Sequence, residues 1–440
     1  MRLIAAAVFL AASIWPAAAQ VYEGEFEGQK FQIDLRLPEG RLRALSGAID
    51  LPFTSREQTG ETLILAIPGY NFRFEGQVSG SRLSGTVRRA DRSFEVSLAT
   101  AEPVVPAARP QDPAEPLPYA AEDVTFPSAD AGITLAGTVT TPQGPGPFAA
   151  VVLVTPDGPQ DRNAQGAGHR ANLVLADALT RAGFVVLRFD DRGIGRSSGD
   201  YEAATIDDFG RDASGALRFI KARAGVDPAR VAVVGRGAGA VMAAMAVAEE
   251  GAKAKVLVSP PAHGGIDGVQ LATERQMREN GSDDDEIKGR LEAQAAVLSV
   301  AADPSKQRAD IEAAVRAAIN AQAGFFSFVV PESAVQAFTR ALSGPYLRRQ
   351  LTFDPAATYR AANARTLLVY GEKDSSNPPG DAPRVEEALR AGGASVETAV
   401  LPGLNAALAT WRDKERPTQR SETIAPAAIE RIVAFVRAAL

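Results

Sequence analysis

The stretch that decides the fold is Val231-Ala232-Val233-Val234-Gly235-Arg236-Gly237-Ala238-Gly239-Ala240, continued by Val241-Met242-Ala243-Ala244-Met245. Val231–Val234 is a short, wholly apolar run, as expected of a strand covered on both faces. Val241 to Met245 has the pattern of a helix. Between them stand Gly235, Gly237 and Gly239. Glycines at alternate positions allow a turn too tight for side chains, which a strand running straight into a helix requires. A strand, a sharp turn and a helix are therefore predicted in immediate succession.

The pattern repeats outward from this point. Short apolar runs stand at Asp123–Phe126, Ile133–Thr140, Ala149–Val154, Phe184–Phe189, Lys255–Val258, Thr366–Tyr370 and Val396–Leu401. Helical patterns separate most of them after the third. Phe209, Ala213, Ala216, Leu217 and Ile220 share one helical face, and Thr205-x-x-Asp208 fits a capping box before it. Buried runs alternating with helices imply an α/β fold with a mostly parallel sheet. Eight strands are expected, with Val231–Val234 the fifth. From about Ile266 to Arg349 the alternation stops, and an Ala-, Arg- and Glu-rich helical insertion is expected to cap the carboxyl ends of the strands. Phe325, Phe326, Phe328 and Val329 are candidates to line a pocket beneath it, with core packing as the plainer reading. The acidic run Asp283-Asp284-Asp285-Glu286 reads as a helix first turn capped from Ser282, where acids suit the dipole, and not as a calcium site.

Upstream the composition changes. Phe31, Ile33, Leu35 and Leu37 alternate with Gln32, Asp34 and Arg36, and Phe94, Val96 and Leu98 repeat the period of two, so a small half-buried β domain is expected over residues 20–100. Six prolines, at 103, 106, 110, 113, 116 and 118, make residues 101–120 an extended linker. Residues 121–440 form the α/β domain. Residues 1–19 read as a signal peptide: Arg2, an apolar run from Leu3 to Ile14, then Ala17-Ala18-Ala19 as the cleavage pattern. The apolar run is too short to span a bilayer. A periplasmic or secreted protein is expected, with no membrane span after cleavage.

Bulk properties exclude several functions. The 440 residues include no cysteine and two histidines, His169 and His263. No thiol nucleophile or cysteine-ligated zinc is possible, and neither a metal nor a cofactor is expected. The net charge of −6 with no cationic cluster argues against nucleic acid as a partner. A small molecule or another protein remains.

The turn at Gly235–Gly239 has the spacing of G-x-S-x-G, in which a serine nucleophile sits on a strained strand-to-helix elbow. Further segments stand at matching places: Gly158-Pro159-Gln160-Asp161-Arg162-Asn163, Gly168-His169-Arg170, Asp190-Asp191-Arg192-Gly193-Ile194-Gly195-Arg196-Ser197, Gly371-Glu372-Lys373-Asp374 and Leu401-Pro402-Gly403-Leu404-Asn405. With these motifs in this order, residues from about 122 to 440 resemble secreted bacterial α/β hydrolases of the serine-aminopeptidase-like, dienelactone-hydrolase-related group. The resemblance implies an α/β-hydrolase fold with a helical cap. It also implies site positions: the nucleophile at Gly237, the base at Ala406, the retained acid at Asp374, and the oxyanion-hole region at Pro156, Asp157 and Ala238. Family members carry serine and histidine at the first two positions. They usually carry glycine at Pro156, which has no N–H to donate.

These departures lead to the expectation of a catalytically inactive pseudoenzyme, able to bind a ligand or partner. Two alternatives stay open at this point. One is an active hydrolase of ester, thioester or peptide bonds, with its site relocated to Ser197, Ser198 or Ser259 and to His169 or His263. The other is dinucleotide binding, since Gly235-x-Gly237-x-x-Ala240 also fits G-x-G-x-x-A. That fingerprint belongs at a first strand followed by an acid-tipped one, and neither condition is met here.

Overall fold

The computed structural model of the chain describes residues 21–26, 29–36, 40–45, 50–89, 92–102, 109–156, 158–321, 332–413, 415 and 419–440. The expected signal peptide, Asp157, Leu37, the prolines at 103 and 106, and Phe325 to Val329 lie outside the described residues.

All eight expected strands of the α/β domain form: β1 (Ala120–Pro127), β2 (Thr134–Thr141), β3 (Phe148–Leu153), β4 (Val185–Phe189), β5 (Val226–Arg236), β6 (Ala254–Val258), β7 (Arg365–Gly371) and β8 (Val396–Leu401). They make one sheet in the order β1-β2-β4-β3-β5-β6-β7-β8. Only β2 runs antiparallel to its neighbours, and the other pairs are parallel. The apolar runs are buried because helices cover both faces. Helices α2 (Ile206–Ala222), α3 (Ala238–Glu250), α9 (Pro355–Ala361) and α10 (Ala382–Ala391) pack on one face, while α1 (Ala171–Arg181) and α11 (Pro426–Ala439) pack on the other. Thr205 caps α2 with the reciprocal Asp208 contact read from the sequence.

Between β6 and β7 the insertion forms α4 (Gly265–Glu279), α5 (Asp284–Ala302), α6 (Arg308–Ala321), α7 (Glu332–Ser343) and α8 (Pro345–Gln350), with an apolar core of its own. One expectation is corrected here: the cap of α5 is Asp283, whose carboxylate accepts from the Glu286 N–H, and not Ser282. A carboxylate in that place serves both the orphan N–H and the dipole.

Residues 21–100 form a nine-stranded antiparallel sheet in which Val21–Phe26 pairs with both Gln29–Asp34 and Arg92–Thr100. Phe31, Ile33 and Leu35 enter its core as expected, but Gln32 and Asp34 are buried too, so this strand is not half-exposed. Asp34 is satisfied by Arg36 at 2.7 Å and Arg43 at 2.5 Å. The β domain rests directly on the α/β domain. Gly69 meets Gly193 so closely that a Cβ on Gly69 would fall 2.1 Å from the Gly193 Cα. Ile194 enters the core of the β domain, and Arg41 reaches Asp161 at 3.5 Å.

Candidate functional site

The site is built at the carboxyl ends of the parallel strands. The strand β5 stops at Arg236, and α3 starts at Ala238. Gly237 joins them at φ 58° and ψ −127°, a backbone conformation that side-chain-bearing residues rarely adopt. Its flanking glycines are sterically required. A Cβ on Gly235 would sit 2.1 Å from the Gly239 carbonyl oxygen, and one on Gly239 the same distance from the Thr155 oxygen. The tight strand-to-helix turn is therefore fully formed around a residue with no side chain. Ala238 opens α3, as the oxyanion-hole position requires, and Pro156 stands just beyond β3.

Asp374 follows β7 and Ala406 follows β8. The two turns are joined by backbone: Lys373 N–H donates to Leu404 O at 2.8 Å, and Glu372 N–H to Leu401 O at 2.9 Å. The turn after β8 is held by Asn405, whose side-chain oxygen accepts from Ala407 and Ala409 N–H at 3.0 and 3.2 Å. Asp374 is 3% exposed. Its Oδ1 accepts from the Ser376 and Asn377 N–H groups at 3.0 and 2.9 Å. Its Oδ2 is buried with no hydrogen-bond partner among the described residues. In a triad, that acid's second role is to receive the histidine N–H. Among the described residues, no histidine hydrogen-bonds Asp374.

The loop after β3 is fixed by three neighbouring aspartates. Asp190 accepts from Arg162 through Nε at 3.0 Å and Nη2 at 2.7 Å, and from the Arg162 and Arg196 N–H groups. Asp191 accepts from Thr155 Oγ1 and the Gln160 N–H, and burial raises its pKa well above the usual carboxylate range. Asp161 accepts from the Asn163 and Gln165 N–H groups and faces Arg41 of the β domain. Most motif residues of these two segments thus act as structural ties. The linker joins in: Arg109 donates to Ala167 O and Gly168 O at 3.0 Å each, and Gln111 engages Thr423 and Ile424. No local pattern announces these long-range contacts.

Two cavities meet at this edge. One, of about 570 Å³, is lined by Pro156, His169, Arg236, Gly237, Ser259, Lys373 and Ala406 among others. The second, of about 680 Å³, lies beneath α4 and is lined by Ala238, His263, Val269, Met277 and Phe353. Ser376 and Asn377 border both. Among the described residues, five non-glycines have left-handed backbones, and Ala164, Ala167 and Ser259 of these line the first cavity, with Leu408 between its lining residues Ala407 and Ala409. Such conformations cost about 1–2 kcal/mol each and cluster where a pocket is held in one shape.

The candidates for relocated chemistry differ in their surroundings. Ser197 Oγ donates to Asp190 O and accepts from the Ala136 N–H, and Ser198 Oγ accepts from the Thr134 N–H. Both are occupied by backbone. Ser259, 2% exposed, lies with its Oγ 3.4 Å from Ala406 O. His263 faces the other cavity, with Nε2 3.6 Å from Asp381, while His169 Nδ1 is 2.9 Å from Thr423 Oγ1. Ser259 and His263 therefore line different cavities, whereas Ser259 and His169 line the same one. At the end of β6, where a dinucleotide site needs an acid, stands Ser259. Among the described residues there is no group of three side chains suited to a metal, and no helix is long and apolar enough to cross a membrane.

Comparisons with known proteins find similarity over part of the chain. Residues 167–279 match the serine aminopeptidase hydrolase family. Esterase EstD of Thermotoga maritima is 30% identical over 147 residues, which cover 33% of this chain and about a third (35%) of that esterase. Solved structures that superpose include an esterase of Pyrococcus furiosus at 15% identity and TM-score 0.43, covering 73% of this chain and 94% of that one. They also include the α/β hydrolase GrgF of a Penicillium species at 17% identity and TM-score 0.45, covering 73% and 99%. On its strand order and its strand-to-helix turn the chain has an α/β-hydrolase fold, and its residues 167–279 are similar to the serine aminopeptidase family.

Proposed function

We propose that this protein is an exported pseudoenzyme: a hydrolase scaffold that has lost the hydrolytic step and keeps its pocket for binding. The observation that carries this reading is the intact elbow at Gly237 beside an acid, Asp374, whose second oxygen has nothing to hold. Loss of either the serine or the histidine of a triad alone costs about 10⁶ in turnover, roughly 8 kcal/mol of barrier. Here both positions are empty of chemistry, and Pro156 offers no N–H to an oxyanion. The strained backbones around the cavity support retained binding, because a collapsed pocket would have no need of them. Export rests on the leader pattern of residues 1–19.

A screen of esters, thioesters and aminoacyl amides with the purified mature chain tests the loss of hydrolysis. No turnover above background is expected. A relocated site keeps one supporting feature: the buried Ser259 shares the walls of the elbow cavity with His169. Turnover that Ser259→Ala abolishes would establish that reading instead.

A further inference from the structure

Trp411 stands on the wall of the elbow cavity and is 46% exposed. An indole left in water is unfavourable, and a guest that covers its face removes that cost. The ring is mounted on a fixed turn. The Trp411 N–H donates to Gly403 O at 2.8 Å, Leu404 pairs with Thr410, and Glu422 Oε1 accepts from the Thr410 N–H at 2.6 Å. Beside the indole, the same cavity offers polar groups that the protein leaves unpaired. Among the described residues, the Ser375 and Ser376 hydroxyls, the Asn377 side-chain amide, Asn405 Nδ2 and Glu422 Oε2 make no hydrogen bond. All of these residues are exposed or half-buried, so the groups are open to a guest.

We infer that this wall is a saccharide-binding site, in which a pyranose ring lies against Trp411 and its hydroxyls meet the polar groups around it. The inference rests on the reading of the cavity as one that binds. Each feature disfavours another kind of guest. A wholly apolar ligand would strip water from the unpaired amides and hydroxyls and return nothing. A cation would meet Arg236 and Lys373 on the same walls. An open chain of hydroxyls would leave the indole uncovered. A pyranose meets both demands. Its C–H face packs on the negative face of the indole, and each hydroxyl both donates and accepts, as this mixture of donors and acceptors requires. The volume of about 570 Å³ lies in the range of small-molecule pockets.

Trp411 is the sole tryptophan after residue 19, so the fluorescence of the mature chain reports on this wall directly. The probes are cellobiose, whose equatorial hydroxyls leave both ring faces to C–H groups, and methyl β-galactoside. Sorbitol supplies hydroxyls without a ring. A saturable change is expected with at least one of the two sugars, half-complete at about 0.1–10 mM, and none with sorbitol. Saturation-transfer NMR on the sugar then reads the variants. Trp411→Ala should weaken binding about tenfold, and Trp411→Phe, which keeps a flat ring, by less. Asn377→Ala keeps the indole and should weaken binding about two- to tenfold. All three variants should melt cooperatively near the wild-type temperature, since these side chains are not in the core. No saturable response to either sugar would overturn the assignment. So would an equal response to sorbitol, or wild-type affinity in Trp411→Ala. None of these outcomes depends on ester turnover, so the inference can fail while the loss of hydrolysis stands.

Discussion

Two buried carboxylates at the same edge of the sheet differ in how fully they are satisfied. Asp190 is fully engaged: Arg162 grips it through two nitrogens, and the Arg162 and Arg196 N–H groups complete its shell. Asp374 is buried just as deeply and has one oxygen satisfied and one bare. The difference follows from what each does. Asp190 closes the turns that place β4 and the loop after β3, so its partners are needed for the chain to fold. On the proposed reading, the partner absent from Asp374 is one that a reaction needs and the fold does not. Motif residues such as Asp190 and Asp191 tie backbone together, whereas Gly237 and Ala406 carry no group able to act on a substrate.

The largest effect should come from restoring the missing groups. Gly237→Ser combined with Ala406→His is expected to raise p-nitrophenyl ester hydrolysis from background by at least about 100-fold, the scale of general-base assistance. Either change alone should do little, because triad members act as a unit. No gain from the pair would place the defect in the loop at Pro156 as well. Breaking the engaged carboxylate is next. Arg162→Ala leaves Asp190 buried without its cation and should cost about 3–5 kcal/mol in chemical denaturation. A loss below about 1 kcal/mol would remove the contrast drawn above.

A third buried charge sharpens the comparison. Lys255 on β6 is fully buried, gives one hydrogen bond to Ala362 O, and has its pKa pushed down to about 7 by burial. Between pH 7 and 10.5 the unfolded chain keeps this proton and the folded chain releases it. Stability contributed by this group therefore rises with pH across that window and is lowest below pH 7. Lys255→Met should flatten the slope and stabilise the protein at pH 6 by roughly 2–4 kcal/mol. A pH profile identical to wild type would contradict this. The smallest effect belongs to the idle acid. Asp374→Leu should change stability by less than about 2 kcal/mol, since relief of a bare buried oxygen offsets the loss of the Ser376 and Asn377 contacts to Oδ1. A loss well above about 3 kcal/mol would mean that Oδ2 has a partner in solution.

The frame of the molecule was legible in the sequence because it rests on local patterns. Apolar runs such as Val231–Val234 marked the strands, and alternating glycines marked a turn where a Cβ has nowhere to go. The site positions Gly237, Asp374 and Ala406 came from motif order, and each lies at the carboxyl end of its expected strand. What escaped depends on contacts between distant residues. Arg41 meets Asp161 across 120 positions, and Arg109 of the linker reaches Gly168 across 59, with no spacing to signal either. The shift of the α5 cap from Ser282 to Asp283 is a smaller case, since both residues can accept from a third-position N–H and only geometry chooses. The bare oxygen of Asp374 could not be read from letters at all.

The central claim is that the elbow is complete and chemically empty. Its most direct test is intact-mass analysis of the purified wild-type chain after incubation with a fluorophosphonate, which forms a stable adduct on any activated serine. The account predicts an unmodified mass for the wild type and a single adduct at position 237 in the Gly237→Ser, Ala406→His variant. A stoichiometric adduct on the wild type, at Ser259 or any other serine, would contradict it.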